Sequence, residues 1–196
     1  MRIFVGIDLD SEVRAKIARF LEGVRGFAPE VRWVRPESLH VTLKFIGEQK
    51  PERVEEIKEK LRQVEGKQVD IRFAGYGFFP TPKSARVFWV GMESGPELAA
   101  LAAAIDEKTA AHGIPREERR FSPHLTLARA SGASGAPRRQ AGDRTSRVFA
   151  LLQERLGNLP APEFGTMTPH EFFLYQSQLS PKGSKYTKLA SFRLQS

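Results

Sequence analysis

His40-Val41-Thr42-Leu43 and His124-Leu125-Thr126-Leu127 are two copies of one phrase, and their reading decides the fold. Lys44 follows the first copy directly, and Arg129 follows the second after one alanine. Each copy sits where apolar and polar side chains alternate or nearly alternate. In an extended strand, residues two apart project from the same face. The histidine and threonine of each copy therefore share a face, while Val41, Leu43, Leu125 and Leu127 point into a core. Two such strands side by side predict a cleft holding two imidazoles and two hydroxyls.

Outward from the first phrase, the chain reads as alternating strands and helices. Ile3 to Leu9 is β-branched and apolar, which predicts a strand. Asp10 or Ser11 caps a helix to about Val24, with Val13, Ile17, Phe20, Leu21 and Val24 on one face. Val31 to Val34 is a short strand, Pro36-Glu37-Ser38 a turn, and Leu39 to Ile46 the first histidine strand, ended by Gly47. Pro51 suits the first turn of a helix carrying Val54, Ile57, Leu61 and Val64.

The second half repeats this plan. Val69 to Phe73 and Arg86 to Met92 read as strands joined by a loop over Gly75 to Pro82. Pro96 opens an alanine-rich helix to about His112, stopped by Gly113. The second histidine strand comes next, then a small, polar, basic loop from Ser131 to Gly142. A helix over Val148 to Leu156 and two strands, Glu171 to Gln176 and Tyr186 to Leu194, complete the reading. Helices alternating with strand pairs favour antiparallel sheets. The expected fold is α+β: two related lobes in residues 1–196, helices outside, each lobe lending one histidine strand to a central cleft.

Composition narrows the chemistry. The 196 residues contain no cysteine, which excludes disulfides, thiolate nucleophiles and cysteine-based zinc sites. No carboxylate cluster or histidine spacing suggests a metal site. The formal charge of +8 favours a polyanionic partner without identifying one. The longest apolar runs are too short to span a membrane, and the first residues read as a strand, so a cytoplasmic protein is expected.

Opening a phosphodiester needs a base for the attacking oxygen and an acid for the leaving one. One neutral and one protonated imidazole can supply both. Thr42 and Thr126 can donate to the non-bridging oxygens as charge builds. Lys44 shares strand parity with His40 and would add charge. Arg129 has the wrong parity relative to His124 and could reach the cleft only through a bulge or a strand end. Phe45 is either core or a base-stacking platform. His112 reads as a helix C-terminal residue, and His170 as structural.

The ordered set of motifs resembles a known family. Arg2 to Leu9, Trp33 to Gly47, Phe79-Pro80, Arg86 to Gly91, Phe121 to Arg129 and Tyr175 to Gly183, with Tyr186 and Leu189, are similar to the 2H phosphoesterase superfamily. Within it, the closer resemblance is to the bacterial and archaeal RNA 2′,3′-cyclic phosphodiesterases, also called 2′-5′ RNA ligases. The resemblance implies a bilobal, pseudo-symmetric fold and metal-independent hydrolysis of terminal RNA 2′,3′-cyclic phosphates to 2′-phosphates, with weak reverse 2′-5′ ligation. It implies His40 as proton donor to the departing 3′-oxygen, His124 as proton acceptor, and Thr42, Thr126 and Arg129 as phosphate contacts. No cofactor is implied. The partner would be RNA with cyclic phosphate ends, tRNA fragments among them, acted on by a monomer. The chain departs from the family after Arg129, where Ala130 to Gly135 replaces a more basic or apolar continuation. Two rival readings are a 2H enzyme for another cyclic phosphate or RNA 3′ end, and a catalytically silent RNA-binding module.

Overall fold

A computed structural model describes residues 1–131 and 147–196. Its elements are β1 (Arg2–Asp8), α1 (Ser11–Val24), β2 (Arg32–Trp33), β3 (His40–Glu48), α2 (Pro51–Arg62), β4 (Ile71–Phe79), β5 (Val87–Ser94), α3 (Pro96–Ala110), β6 (His124–Arg129), α4 (Ala150–Gly157), β7 (Glu163–Met167), β8 (Glu171–Ser180) and β9 (Gly183–Arg193). The loop expected from Ser131 to Gly142 lies, beyond Ser131, outside the described residues.

Two antiparallel sheets carry the architecture. One has the order β3-β1-β8-β9 and the other β2-β6-β5-β4-β7. The histidine strands β3 and β6 are therefore not hydrogen-bonded neighbours, as a side-by-side arrangement would require. They belong to different sheets that approach each other. Nor do the sheets correspond to consecutive halves of the chain. β1 and β3 join the C-terminal β8 and β9, while β2 crosses to pair with β6.

The helices cover the outer faces. Asp10 caps α1 by accepting a hydrogen bond from the Val13 amide, and Val13, Ile17, Leu21 and Val24 are buried. Phe20 sets α1 on the second sheet, its ring 6.4 Å from Phe88 and 5.2 Å from Phe164. α2 and α3 pack together and cover the first sheet through Val54, Ile57, Leu61, Leu98, Leu101 and Ile105. Each of these burials is worth about 1.5–3 kcal/mol, so both sheets are anchored mainly by their helix-facing sides.

Several elements run past their expected limits, for local reasons. Gly47 does not end β3; it adopts φ +90° inside the strand, opposite Ile3. β4 continues through the expected loop to Phe79, because Gly75 at φ +70° absorbs an irregularity in the ladder. β7 is a strand the sequence does not predict. It is short, contains Gly165 at φ +96° and buries only Phe164 and Met167, so it has little apolar signature. Among the described residues, no helix is long and apolar enough to cross a membrane.

The histidine strands share one distortion. Along β3, Thr42 pairs with Gly6 and Lys44 with Val5, leaving Leu43 as an extra residue. Along β6, Thr126 pairs with Trp89 and Ala128 with Phe88, leaving Leu127 as the extra residue. Each bulge inverts the parity of the residues after it. Lys44 is thereby turned into the helix-facing core, which corrects the expectation that it adds charge to the cleft. It is 5% exposed, paired with Asp106 of α3 and bonded to the Pro115 carbonyl at 2.7 Å. Burial pushes the Asp106 carboxyl up, but Lys44 and the Glu117 amide outweigh it and hold the carboxyl below its ordinary range.

Removing one member of this pair strands the other charge. Asp106→Ala should destabilise the protein by about 3 kcal/mol, whereas Lys44→Met combined with Asp106→Leu should recover most of that loss. Denaturant midpoints of the single and double variants check this, and equal losses would show that the pair is not the anchor.

Candidate active site

Both histidines are held by the same local device. The Nδ1 of His40 lies 2.8 Å from the Ser38 carbonyl, and the Nδ1 of His124 lies 2.9 Å from the Ser122 carbonyl. A carbonyl oxygen only accepts, so Nδ1 carries the proton in each ring. The neutral tautomer then leaves Nε2 unprotonated on the other side of the ring. In His40 that atom is 3.1 Å from the Thr42 hydroxyl, which donates to it. The serine two residues before each histidine is a further sequence signal: Ser-x-His-x-Thr occurs in both copies, and the serine contributes through its backbone.

A short connection joins the two strands. Arg32 and Trp33 pair with Arg129 and Ala128, and the Val34 amide donates to the Leu127 carbonyl at 2.8 Å. A 3₁₀ turn at Pro36–Ser38 comes next, and His40 begins β3. The six residue steps from Val34 to His40 span at most about 22 Å even fully extended, and the turn shortens that. Arg14 braces the turn from α1, donating to the carbonyls of Pro36 (2.6 Å), Leu9 (3.2 Å) and Leu39 (3.4 Å) and pairing with Asp8.

The β6 bulge returns Arg129 to the face of His124 and Thr126, which answers the parity objection. Its guanidinium lowers the proton affinity of both imidazoles, so it lies within electrostatic reach of each. Burial in turn lowers that of Arg129 itself, against an opposing contribution from Tyr186. The β3 bulge does the same for Phe45, which is 52% exposed with its ring 6.0 Å from Phe4. Phe4 is in turn 4.6 Å from the His40 ring. Phe45 is thus an open aromatic surface at the site and not core.

The surroundings of the two rings differ. His40 is packed by Phe4, Tyr186 (4.8 Å, edge-on) and Tyr175 (6.1 Å). Burial depresses its pKa from 6.5 to about 4, with Arg129 and Arg14 adding to the fall and the Ser38 bond and Asp8 opposing it. His124 meets Phe79 (5.1 Å, edge-on) and Trp89 (6.5 Å). Burial lowers its pKa too, and among the described residues no carboxylate opposes the shift. Asp8 lies across the ladder from His40 and raises the proton affinity of that ring. The aromatic neighbours are not legible in the sequence, because strands on both sheets supply them.

The other histidines lie apart. The Nε2 of His112 is 3.0 Å from Glu56 on the helical surface, and the His170 carbonyl accepts from the Leu194 amide. Among the described residues, no group of three or more His, Cys, Asp or Glu side chains could hold a metal ion.

Residues 7–89 match the family model described as LigT like phosphoesterase. The chain is 34% identical to an RNA 2′,3′-cyclic phosphodiesterase of Archaeoglobus fulgidus, over 98% of this chain and 99% of that protein. It is 35% identical to one from Methanothermobacter thermautotrophicus, over 99% of each. Among solved structures, a Thermus thermophilus protein superposes with a TM-score of 0.76 at 29% identity, over 99% of this chain and 98% of that one. Escherichia coli LigT complexed with 3′-AMP superposes at 0.75 with 26% identity, over 98% and 97%.

The imidazole geometry predicts two spectroscopic results. Long-range ¹H–¹⁵N spectra near pH 7 should show both rings as the Nδ1–H tautomer, the minor form of histidine in water. His40 should titrate at about 4. Because that value lies below 6.5, the unfolded chain binds the proton first. Stability held above pH 6.5 is therefore lost progressively as the pH falls towards 4. A His40 midpoint near 6.5 would contradict the packing described.

Proposed function

This chain belongs to the LigT-like phosphoesterases, and on that footing we propose that it hydrolyses terminal RNA 2′,3′-cyclic phosphates to 2′-phosphates with His40 and His124 as its acid–base pair. The observation that carries the reading is the matched pair of Nδ1–carbonyl bonds, each freeing Nε2 of an imidazole within reach of one arginine. The same reading takes residues 1–196 as one functional unit and makes it a cytoplasmic monomer acting on RNA ends, tRNA fragments among them.

In the proposed reaction, His124 Nε2 accepts a proton from water as the water oxygen bonds to phosphorus. The phosphorus–O3′ bond breaks on the opposite side, and His40 Nε2–H gives its proton to that oxygen. The Thr42 and Thr126 hydroxyls donate to the non-bridging oxygens, Arg129 offsets the developing charge, and Phe45 stacks on the terminal base. In 2′-5′ ligation the 5′-hydroxyl of a second RNA takes the place of water. His124 accepts its proton as its oxygen bonds to phosphorus, and His40 protonates the departing O3′. Cleavage of the 2′-5′ linkage by the 3′-hydroxyl is the microscopic reverse and uses the pair with roles exchanged.

The role assignment follows the family resemblance. An acid must be protonated when substrate is bound; Asp8 favours the imidazolium of His40, although Arg129 outweighs it. His40 is nonetheless neutral in the free protein at pH 7, so the bound phosphate's own charge must raise its proton affinity. The alkaline limb of kcat should therefore lie at higher pH than the alkaline limb of kcat/KM, and kcat/KM should peak below pH 6.5. Coincident limbs would show that substrate does not recharge His40.

His40→Ala and His124→Ala should each lower turnover of a 2′,3′-cyclic nucleotide by at least about 10²–10⁴-fold while leaving the circular dichroism unchanged. Identification of the product as the 2′-phosphate checks the direction of opening. Either variant retaining near wild-type turnover would remove that residue from the mechanism. Activity should persist in EDTA; a loss that added metal restores would replace this mechanism with a metal-assisted one.

A further inference from the structure

Buried polar atoms are almost always hydrogen-bonded, and exceptions mark strain or a ligand site. Among the described residues, two buried side-chain polar atoms have no partner: Tyr175 Oη and Trp89 Nε1. They fall one in each sheet, beside one cleft histidine each, with Tyr175 6.1 Å from His40 and Trp89 6.5 Å from His124.

Tyr175 is 5% exposed and stacked on Phe4 at 5.0 Å with 13° between the rings. Its position on β8 is opposite Phe4 on β1. Two residues further along β1, a side chain at Gly6 would meet Tyr175 Cε2 at 3.5 Å. The ring therefore runs along β1 from Phe4 over Gly6, and the hydroxyl ends beyond that point, towards Asp8. Gly6 pairs with Thr42 and Asp8 pairs with His40. The hydroxyl is thus directed at the rows that carry the threonine and the histidine of the first phrase. Only glycine fits at position 6, since a Cβ there would stand 2.8 Å from the Val41 carbonyl.

We propose that the Tyr175 hydroxyl is a phosphate-binding donor, giving its hydrogen bond to a non-bridging oxygen on the Thr42 side of the cleft. The inference rests on the reading that the two histidines flank a phosphodiester. Burial, helped by the Asp8 charge, raises the proton affinity of the hydroxyl, so it stays a donor across the working pH range. A donor without a protein partner is already desolvated, and an anionic oxygen that reaches it restores a bond without displacing one.

Tyr175→Phe removes the hydroxyl and keeps the ring. Binding of inorganic phosphate by calorimetry, KM for 2′,3′-cyclic CMP and the thermal midpoint are measured on both proteins. The expected result is phosphate affinity about tenfold weaker and KM raised to match, with a thermal midpoint equal to or above wild type, because no protein bond is lost. Unchanged phosphate affinity and KM would overturn the proposal, as would a thermal midpoint lowered by several degrees with binding intact, which assigns the hydroxyl a structural bond. If wild type binds phosphate but does not turn over the nucleotide, the hydrolase reading fails while a Tyr175-dependent loss of phosphate affinity still supports the anion contact. If wild type binds no phosphate, the Tyr175 contact falls, while turnover of the nucleotide decides the hydrolase reading separately.

Discussion

An extra residue directly after the threonine of each histidine strand determines which side chains share a face with the histidine. A regular β3 would carry His40, Thr42 and Lys44 on one face, and a regular β6 would carry His124, Thr126 and Ala128. The bulges at Leu43 and Leu127 reverse that order after the threonine. Lys44 and Ala128 become equivalent buried positions, and Phe45 and Arg129 become equivalent cleft positions. The two-fold resemblance of the strands thus holds in backbone geometry but breaks in chemistry: one strand ends its cleft face with an aromatic ring, the other with a guanidinium. The proposed reaction uses these two kinds of contact for a base and a phosphate, and a strictly repeated strand would have duplicated one of them.

The same bulge ties the site to the core. Once turned inward, an ammonium on Lys44 needs a partner, because an isolated buried charge costs several kcal/mol. Asp106 of α3 supplies it, with the Pro115 carbonyl and the Glu117 amide completing the set. Residues 115–123 lead directly to His124, so a contact made by the first histidine strand helps fix the approach to the second. β2 makes the reciprocal tie from the other side, pairing with β6 immediately before the chain turns into β3. The two sheets are joined at the site through backbone and buried charge, which is why their histidines can be held without a shared ladder.

Much of this is legible in residues 40–43 and 124–127, because period-two alternation is a direct record of which side chains share a face. α1 and α2 are legible for the same reason at period 3.6, and Asp10 is readable as a cap. Lys44 misleads because a bulge leaves no mark in the hydrophobic pattern: Leu43-Lys44 looks like ordinary alternation whichever way it turns. Arg129 shows the opposite case, a residue whose parity argues against it and whose position a bulge then explains. β7 is invisible because a five-residue strand with a glycine at its centre buries too little to show a period. The partition into sheets is illegible for a different reason. Strand pairing between β1 and β8 depends on contacts far apart in sequence, and nothing local records it.

The electrostatics of the cleft come from burying two similar rings in dissimilar company. Desolvation dominates for both and would alone leave two neutral imidazoles, a pair able to accept protons but not to donate one. Asp8 breaks that equivalence, and it does so under restraint. Arg14 and Lys188 share its two carboxylate oxygens, so its charge is held in place and partly offset. Burial leaves His40 neutral in the free protein, with Arg129 outweighing Asp8, and in the proposed reaction the substrate's anionic charge supplies the negative potential that protonates the ring. On this view the deep burial of His40 is compatible with a proton-donor role, because the proton is acquired as the substrate's charge enters the cleft.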